Sequence, residues 1–179
     1  MAKQTIFLGT TSNDGTGTTL RAGGDMINDN FNELYGWTGW QSRVDTTNTQ
    51  SLTGATNNLI SFAGTLEQNG GLILMNGNSK ITPIAVGDAI HVDFSFTVVT
   101  PGGADHYVNV LFIVNGIIYR SQTTILAKGA GVDDGISVSF FFPIGTDFLT
   151  NGGEFYINPD VAVTIKNRYI SVSRIHKAL

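Results

Sequence analysis

Ile90-His91-Val92-Asp93-Phe94-Ser95-Phe96-Thr97-Val98 sets an apolar side chain at every second position, with a polar one between each pair. A period of two is the signature of a strand with one face on a core and one in solvent. Working outward, Thr100-Pro101-Gly102-Gly103 ends that strand. Tyr107–Val114 then meets Ile117–Thr123 across Asn115-Gly116, the strongest two-residue signal for a hairpin. Further strands are expected at Leu59–Leu66, Gly71–Met75, Ile136–Pro143, Glu154–Ile157, Ala162–Lys166 and Tyr169–Ile175, with Asn167-Arg168 as a tight turn between the last two. Short strands, Gly-rich turns and no helix between them predict a mainly β fold, a jelly-roll β-sandwich.

Composition agrees. The chain has 179 residues, 41% hydrophobic and only 13% charged, with 22 Gly. That is enough for one compact core, and the low charge leaves a Thr/Asn/Ser-rich exterior. Net charge is −4 and no basic cluster occurs, which argues against a nucleic-acid partner. There is no Cys, so disulfides, thiolate metal sites and cysteine nucleophiles are excluded. No apolar run reaches membrane-spanning length, and Ile6-Phe7-Leu8 is too short for a signal peptide, so no membrane insertion is expected.

The first part of the chain reads differently. Ile6-Phe7-Leu8 is a short arm, and Gly9 to Thr19 a turn-rich loop. Leu20, Ile27, Phe31 and Leu34 then recur at helical spacing, with Tyr35 beside Leu34. Thr18 or Thr19 is the expected N-cap and Gly36 the residue past the C-terminus. Gly23-Gly24 weakens this helix by about 1 kcal/mol per Gly. A helix so short, with one apolar stripe, needs a surface to lie on. The expected organisation is an attachment segment at 1–43, a linker or lead-in at 44–58, and a sandwich domain at 59–179.

Two runs are apolar at both parities: Val108, Val110 and Phe112 against Leu111 and Ile113, and Phe140-Phe141-Phe142. A lone sandwich keeps one polar face per strand, so these residues are expected at a subunit interface or in a doubly covered core.

The search for chemistry yields little. His91 and Asp93 share a strand face without a third ligand, and Asp105-His106 follows a turn. Gly-x-Ser-x-Gly is missing. The Gly9–Thr18 loop lacks the Lys of a phosphate loop. Asp133-Asp134-Gly135 lacks the alternation of a calcium hand. Glu67, Asp88, Asp93 and Glu154 offer carboxylates but no nameable pair, and Tyr107, Tyr119, Tyr156 and Tyr169 are dispersed. No catalytic, metal or cofactor site is predicted, and the chain is not expected to be an enzyme.

Asn13-Asp14-Gly15-Thr16-Gly17, Leu20-Arg21 and Ile27-Asn28-x-Asn30-Phe31-x-Glu33-Leu34-Tyr35 together resemble a motif near the N-termini of tailed-bacteriophage virion proteins. The family pattern carries Asp where Thr18 stands and often Lys where Met26 stands. Residues 59–179 look like the trimeric jelly rolls of the tumour-necrosis-factor and complement-C1q type. The resemblance implies a structural virion component on the outer surface of the particle: a homotrimeric capsid-decoration or head-fibre protein held to phage capsid or tail proteins by its N-terminal segment. Asn13, Asp14, Gly15, Leu20, Arg21, Ile27, Asn30, Phe31, Leu34 and Tyr35 are the expected docking residues. The alternative it implies is a tail fibre or receptor-binding head that recognises host-surface glycan.

Overall fold

The computed structural model describes residues 5–8, 15–35, 39–69, 72–103 and 105–177, with the side chains of 32–35 and 69 outside the description. Within them, two antiparallel six-stranded sheets face each other. Helix α1 (Leu20–Tyr35) comes first, followed by β1 (Gly39–Asp45), β2 (Gln50–Leu52), β3 (Asn58–Leu59), β4 (Thr65–Asn69), β5 (Met75–Asn76) and β6 (Lys80–Ile81). The longer elements follow: β7 (Ala89–Val99), β8 (Tyr107–Val114), β9 (Ile117–Ile125), β10 (Asp133–Pro143), α2 (Thr146–Asn151), β11 (Gly153–Pro159) and β12 (Val163–His176).

One sheet runs β10-β7-β12-β1-β4 with β2 also on β12; the other runs β5-β6-β11-β8-β9 with β3 also on β11. From β7 onward the chain crosses between sheets at every connection but the β8–β9 hairpin. That alternation is how a jelly roll buries both inner faces in one core.

The alternating strand behaves as expected. Ile90, Val92, Phe94, Phe96 and Val98 of β7 are all buried, and their polar neighbours face out. Asn115 and Gly116 both have positive φ, which two-residue hairpin turns of the primed type require. The doubly apolar runs divide by parity. Val108, Val110, Phe112 and Val114 enter the core, while Leu111 is buried on the outer face and Ile113 half-buried there. Phe140 and Phe142 turn inward, and Phe141 stands half exposed on the outer face opposite His91.

Four expectations need correction. Residues 44–58, expected as a linker or lead-in, carry sheet strands: β2 and the start of β3 lie there, and β1 lies between β12 and β4 in full register and crosses the expected boundary at 43/44. Its Thr/Asn/Ser-rich sequence hid a strand whose inward Gln41 is buried and accepts hydrogen bonds from the Leu74 and Met75 amides at 2.6 and 2.7 Å. The stretch Leu59–Leu66 is two strands in different sheets, not one. Gly64 lies between them, and a Cβ there would stand 1.7 Å from the Val44 carbonyl oxygen, so the backbones approach too closely for any side chain.

The expected strands at 162–166 and 169–175 form one strand, β12. Asn167-Arg168 is a bulge in it and not a turn: Lys166 pairs with Thr97 and Tyr169 with Ser95, leaving two residues opposite Phe96. Finally, α2 was not expected. Six residues are too few for a periodic signal, and its buried Phe148 holds it to the core.

His106 ties two loops of the sandwich together. Its Nδ1 lies 2.7 Å from Asp160 Oδ2, and Asp160 Oδ1 accepts the Tyr107 amide at 3.1 Å. The bond to Asp160 raises the His106 pKa above its ordinary value, against a smaller opposing effect of desolvation. Desolvation alone would push Asp160 up, but the His106 bond and the Tyr107 amide together hold it below the carboxylate range. The His contribution to stability is therefore complete below the ordinary pKa of about 6.5 and lost as pH rises through the raised value. The Asp contribution is present above the ordinary carboxylate pKa and lost as pH falls through the lowered value. Melting temperature should accordingly fall between pH 6 and pH 9 in the wild type and fall less in His106→Asn, as calorimetry on both proteins will read.

Candidate docking segment

Residues before β1 build a small unit of their own. Thr18 donates its amide to the Phe7 carbonyl at 2.7 Å, and its Oγ1 accepts the Phe7 amide at 3.1 Å, so the arm is pinned beside the start of α1. Thr19 then caps the helix, its Oγ1 accepting the Ala22 amide at 3.3 Å. Ile6 lies over Gly23, with its Cγ2 3.8 Å from where a Cβ would stand. Gly15 has φ +69°, a conformation open to Gly at no steric cost.

The helix turns an apolar face outward. Leu20 is 96% exposed, Ile27 44% and Phe31 52%. These three lie seven and four residues apart, hence on one side of α1. Arg21 and Asn28 are exposed, and Asn30 is half-buried. Among the described residues, no element of the sandwich packs extensively against α1. Of the other expected docking residues, Asn13 and Asp14 lie outside the described residues. Leu34 and Tyr35 belong to the helix, with their side chains likewise outside the description.

The sandwich adds further exposed apolar side chains. On the edge strand β9, Ile117, Ile118 and Ile125 are all more than half exposed. On the outer face of the other sheet, Trp40, Val44 and Tyr169 stand beside a row of small residues, Ser95, Ser137 and Ser171, with Ser42 buried among them. His91 and Asp93 share that face, with His91 Nδ1 3.4 Å from Asp93 Oδ2 and Nε2 2.8 Å from Ser139 Oγ. No cluster of three potential metal ligands occurs among the described residues.

Residues 3–104 match the family model described as Bacteriophage T4 gp9/10-like protein, N-terminal. The match takes in the arm, α1 and the sandwich as far as the loop after β7. Comparison with curated proteins gave no match. Among solved structures, the chain is similar to the PRD1 vertex protein P5 at 15% identity, covering 78% of this chain and 73% of that one, with a TM-score of 0.46. It is also similar to the Eiger TNF from S. frugiperda at 6% identity, covering 79% and 94%, with a TM-score of 0.47. Because the family model spans more than half of its length, the chain belongs to the bacteriophage T4 gp9/10-like family and is a structural protein of a phage virion.

Proposed function

We propose that the chain is a trimeric decoration or head-fibre component of the particle, attached through the residues before β1 and carrying the sandwich outward. The observation behind this reading is the exposed stripe of Leu20, Ile27 and Phe31 on a helix that the sandwich does not cover. Full burial of Leu20, which is almost wholly exposed, gains about 1.5–3 kcal/mol, and of the half-exposed Ile27 and Phe31 about half that each, which a partner surface supplies. Two exposed surfaces can carry contacts between copies: the isoleucine-bearing edge strand β9, and the serine-lined outer face of the other sheet beside Trp40, Val44 and Tyr169. Edge against face is a head-to-tail contact, which closes into a ring when copies are related by rotation.

The anchor is tested in the full-length chain, because cutting at residue 43 would remove most of β1. Ile27→Asp combined with Phe31→Asp should weaken attachment at least about a hundredfold, since each tenfold corresponds to about 1.4 kcal/mol. Particles assembled with this variant should lack the protein, while the free variant keeps its wild-type melting temperature. Particles carrying a full complement of the variant would refute the anchor. Sedimentation equilibrium of the free protein reads the oligomer, and a monomer mass would refute the trimer.

A further inference from the structure

The outer face of the β11–β8 sheet holds an open cleft of about 410 Å³. Glu154 and Tyr156 project from β11 two residues apart and form its floor, with Ile113 as the cross-strand neighbour of Glu154. Its walls come from three separate turns. Asn57 precedes β3, Asn115-Gly116 is the tip of the β8–β9 hairpin, and Asn151-Gly152 closes α2. Lys80, paired with Glu154 on the other side, stands at the rim.

These groups are held in place before any ligand arrives. Ser79 Oγ donates to Glu154 Oε1 at 3.1 Å and the Tyr156 hydroxyl to Oε2 at 3.3 Å. The Asn151 amide nitrogen is bonded to Asp147 Oδ1 at 2.9 Å and to the Asp147 carbonyl at 3.0 Å, and Asn57 Oδ1 accepts from Asn158 at 2.8 Å. Burial and the adjacent Glu154 carboxylate push the Tyr156 phenol above its ordinary value, so its hydroxyl stays a proton donor at neutral pH. At Gly116 a Cβ would stand in open space, so a ligand can come close to backbone there, whereas Gly152 is glycine because a Cβ would meet Lys80 and the Ile81 carbonyl.

We propose that this cleft binds an uncharged saccharide unit. Three amides and one carboxylate offer the mixed donors and acceptors that vicinal hydroxyls need, while Tyr156 and Ile113 present apolar surface to a sugar's C–H face. An anionic ligand is disfavoured by Glu154, and the single Lys80 is too little positive charge to bind a phosphate chain. Among the described residues Glu154 is the one carboxylate lining the cleft, whereas glycoside hydrolysis works with two, so the site is proposed to bind without cleaving. The inference does not rest on the anchoring segment, and either can fail alone.

The probe is a panel of neutral hexose and N-acetylhexosamine mono- and disaccharides at millimolar concentration, offered to the full chain and followed by saturation-transfer NMR. At least one should bind. Glu154→Gln and Asn151→Ala should each weaken it about tenfold or more, as expected when a hydrogen bond to a charged or preorganised group is lost. Ser121→Ala, on the same sheet outside the cleft, should leave affinity unchanged. If no saccharide of the panel binds, or if binding survives both cleft variants intact, the proposal is overturned. Release of free sugar from a bound disaccharide would overturn the claim that the cleft only binds.

Discussion

Replacing Arg168 by Ala should destabilise the sandwich by about 3–5 kcal/mol, the loss expected when one member of a buried ion pair is removed and its partner remains. The Arg168 and Asp45 side chains are 3% and 0% exposed, and Nη2 lies 2.6 Å from Asp45 Oδ2. The guanidinium also donates to Gln50 Oε1 at 2.8 Å and to the Asn48 carbonyl at 3.3 Å. One side chain thus holds the whole turn from β1 to β2. Burial alone would raise the Asp45 pKa, but the Asn48 amide and Arg168 outweigh it and leave the carboxyl below its ordinary value. The Asp45 contribution is therefore present above the ordinary carboxylate pKa and lost as acid takes the pH through the lowered one. Urea unfolding at neutral pH will read the deficit. Asp45→Asn combined with Arg168→Ala should cost less than the two single changes added together, because no unpaired charge is then left buried.

How Arg168 reaches that position shows where the sequence could and could not be read. Asn167-Arg168 has the look of a turn, and Asn167 does adopt the left-handed φ of +49° that turns favour. In the sheet the same conformation makes a bulge. The strand continues, and the extra residue sets Arg168 against Asp45 on β1. Local preference fixes the backbone conformation here, but only pairing with β7 and β1 decides between ending the strand and bulging it.

The rest follows the same division. β7, the Asn115-Gly116 hairpin and α1 with its Thr19 cap were legible because each carries its signal within a dozen residues. β1 was not, since Gln41, Ser42 and Asp45 are buried through partners far along the chain. The exposed face of α1 was readable from spacing alone. The cleft could not be: its lining comes from β11, β8, β6 and three turns, and Tyr156 stood among four tyrosines with nothing to single it out. The one local signal was Glu154-x-Tyr156 at strand spacing, which places both side chains on one face but does not say that the face is concave.

Phe112→Ala should cost a further large amount, about 3–5 kcal/mol, as a buried aromatic truncated in a packed core does. Its ring is fully buried, with centroids 4.2 Å from Phe142, 5.1 Å from Phe155 and 5.3 Å from Phe148, so it joins both sheets and α2. The seat is shaped by a missing side chain: a Cβ on Gly153 would stand 2.2 Å from the Phe112 Cζ. Gly153→Ala must therefore displace a buried ring and should itself destabilise by about 1–3 kcal/mol through overpacking. The two changes should not add. With the ring gone, the methyl enters the space it left, so Phe112→Ala/Gly153→Ala should be more stable than the sum of the single losses allows. Thermal melts of the four proteins complete the cycle, and strict additivity would show that Gly153 is not what fits β11 to β8. Because Ile113 follows Phe112 and Glu154 follows Gly153, a backbone shift at this contact also moves the cleft floor. The glycine that lets the core close thus also fixes the separation of the groups proposed to meet a ligand on the other face of the sheet.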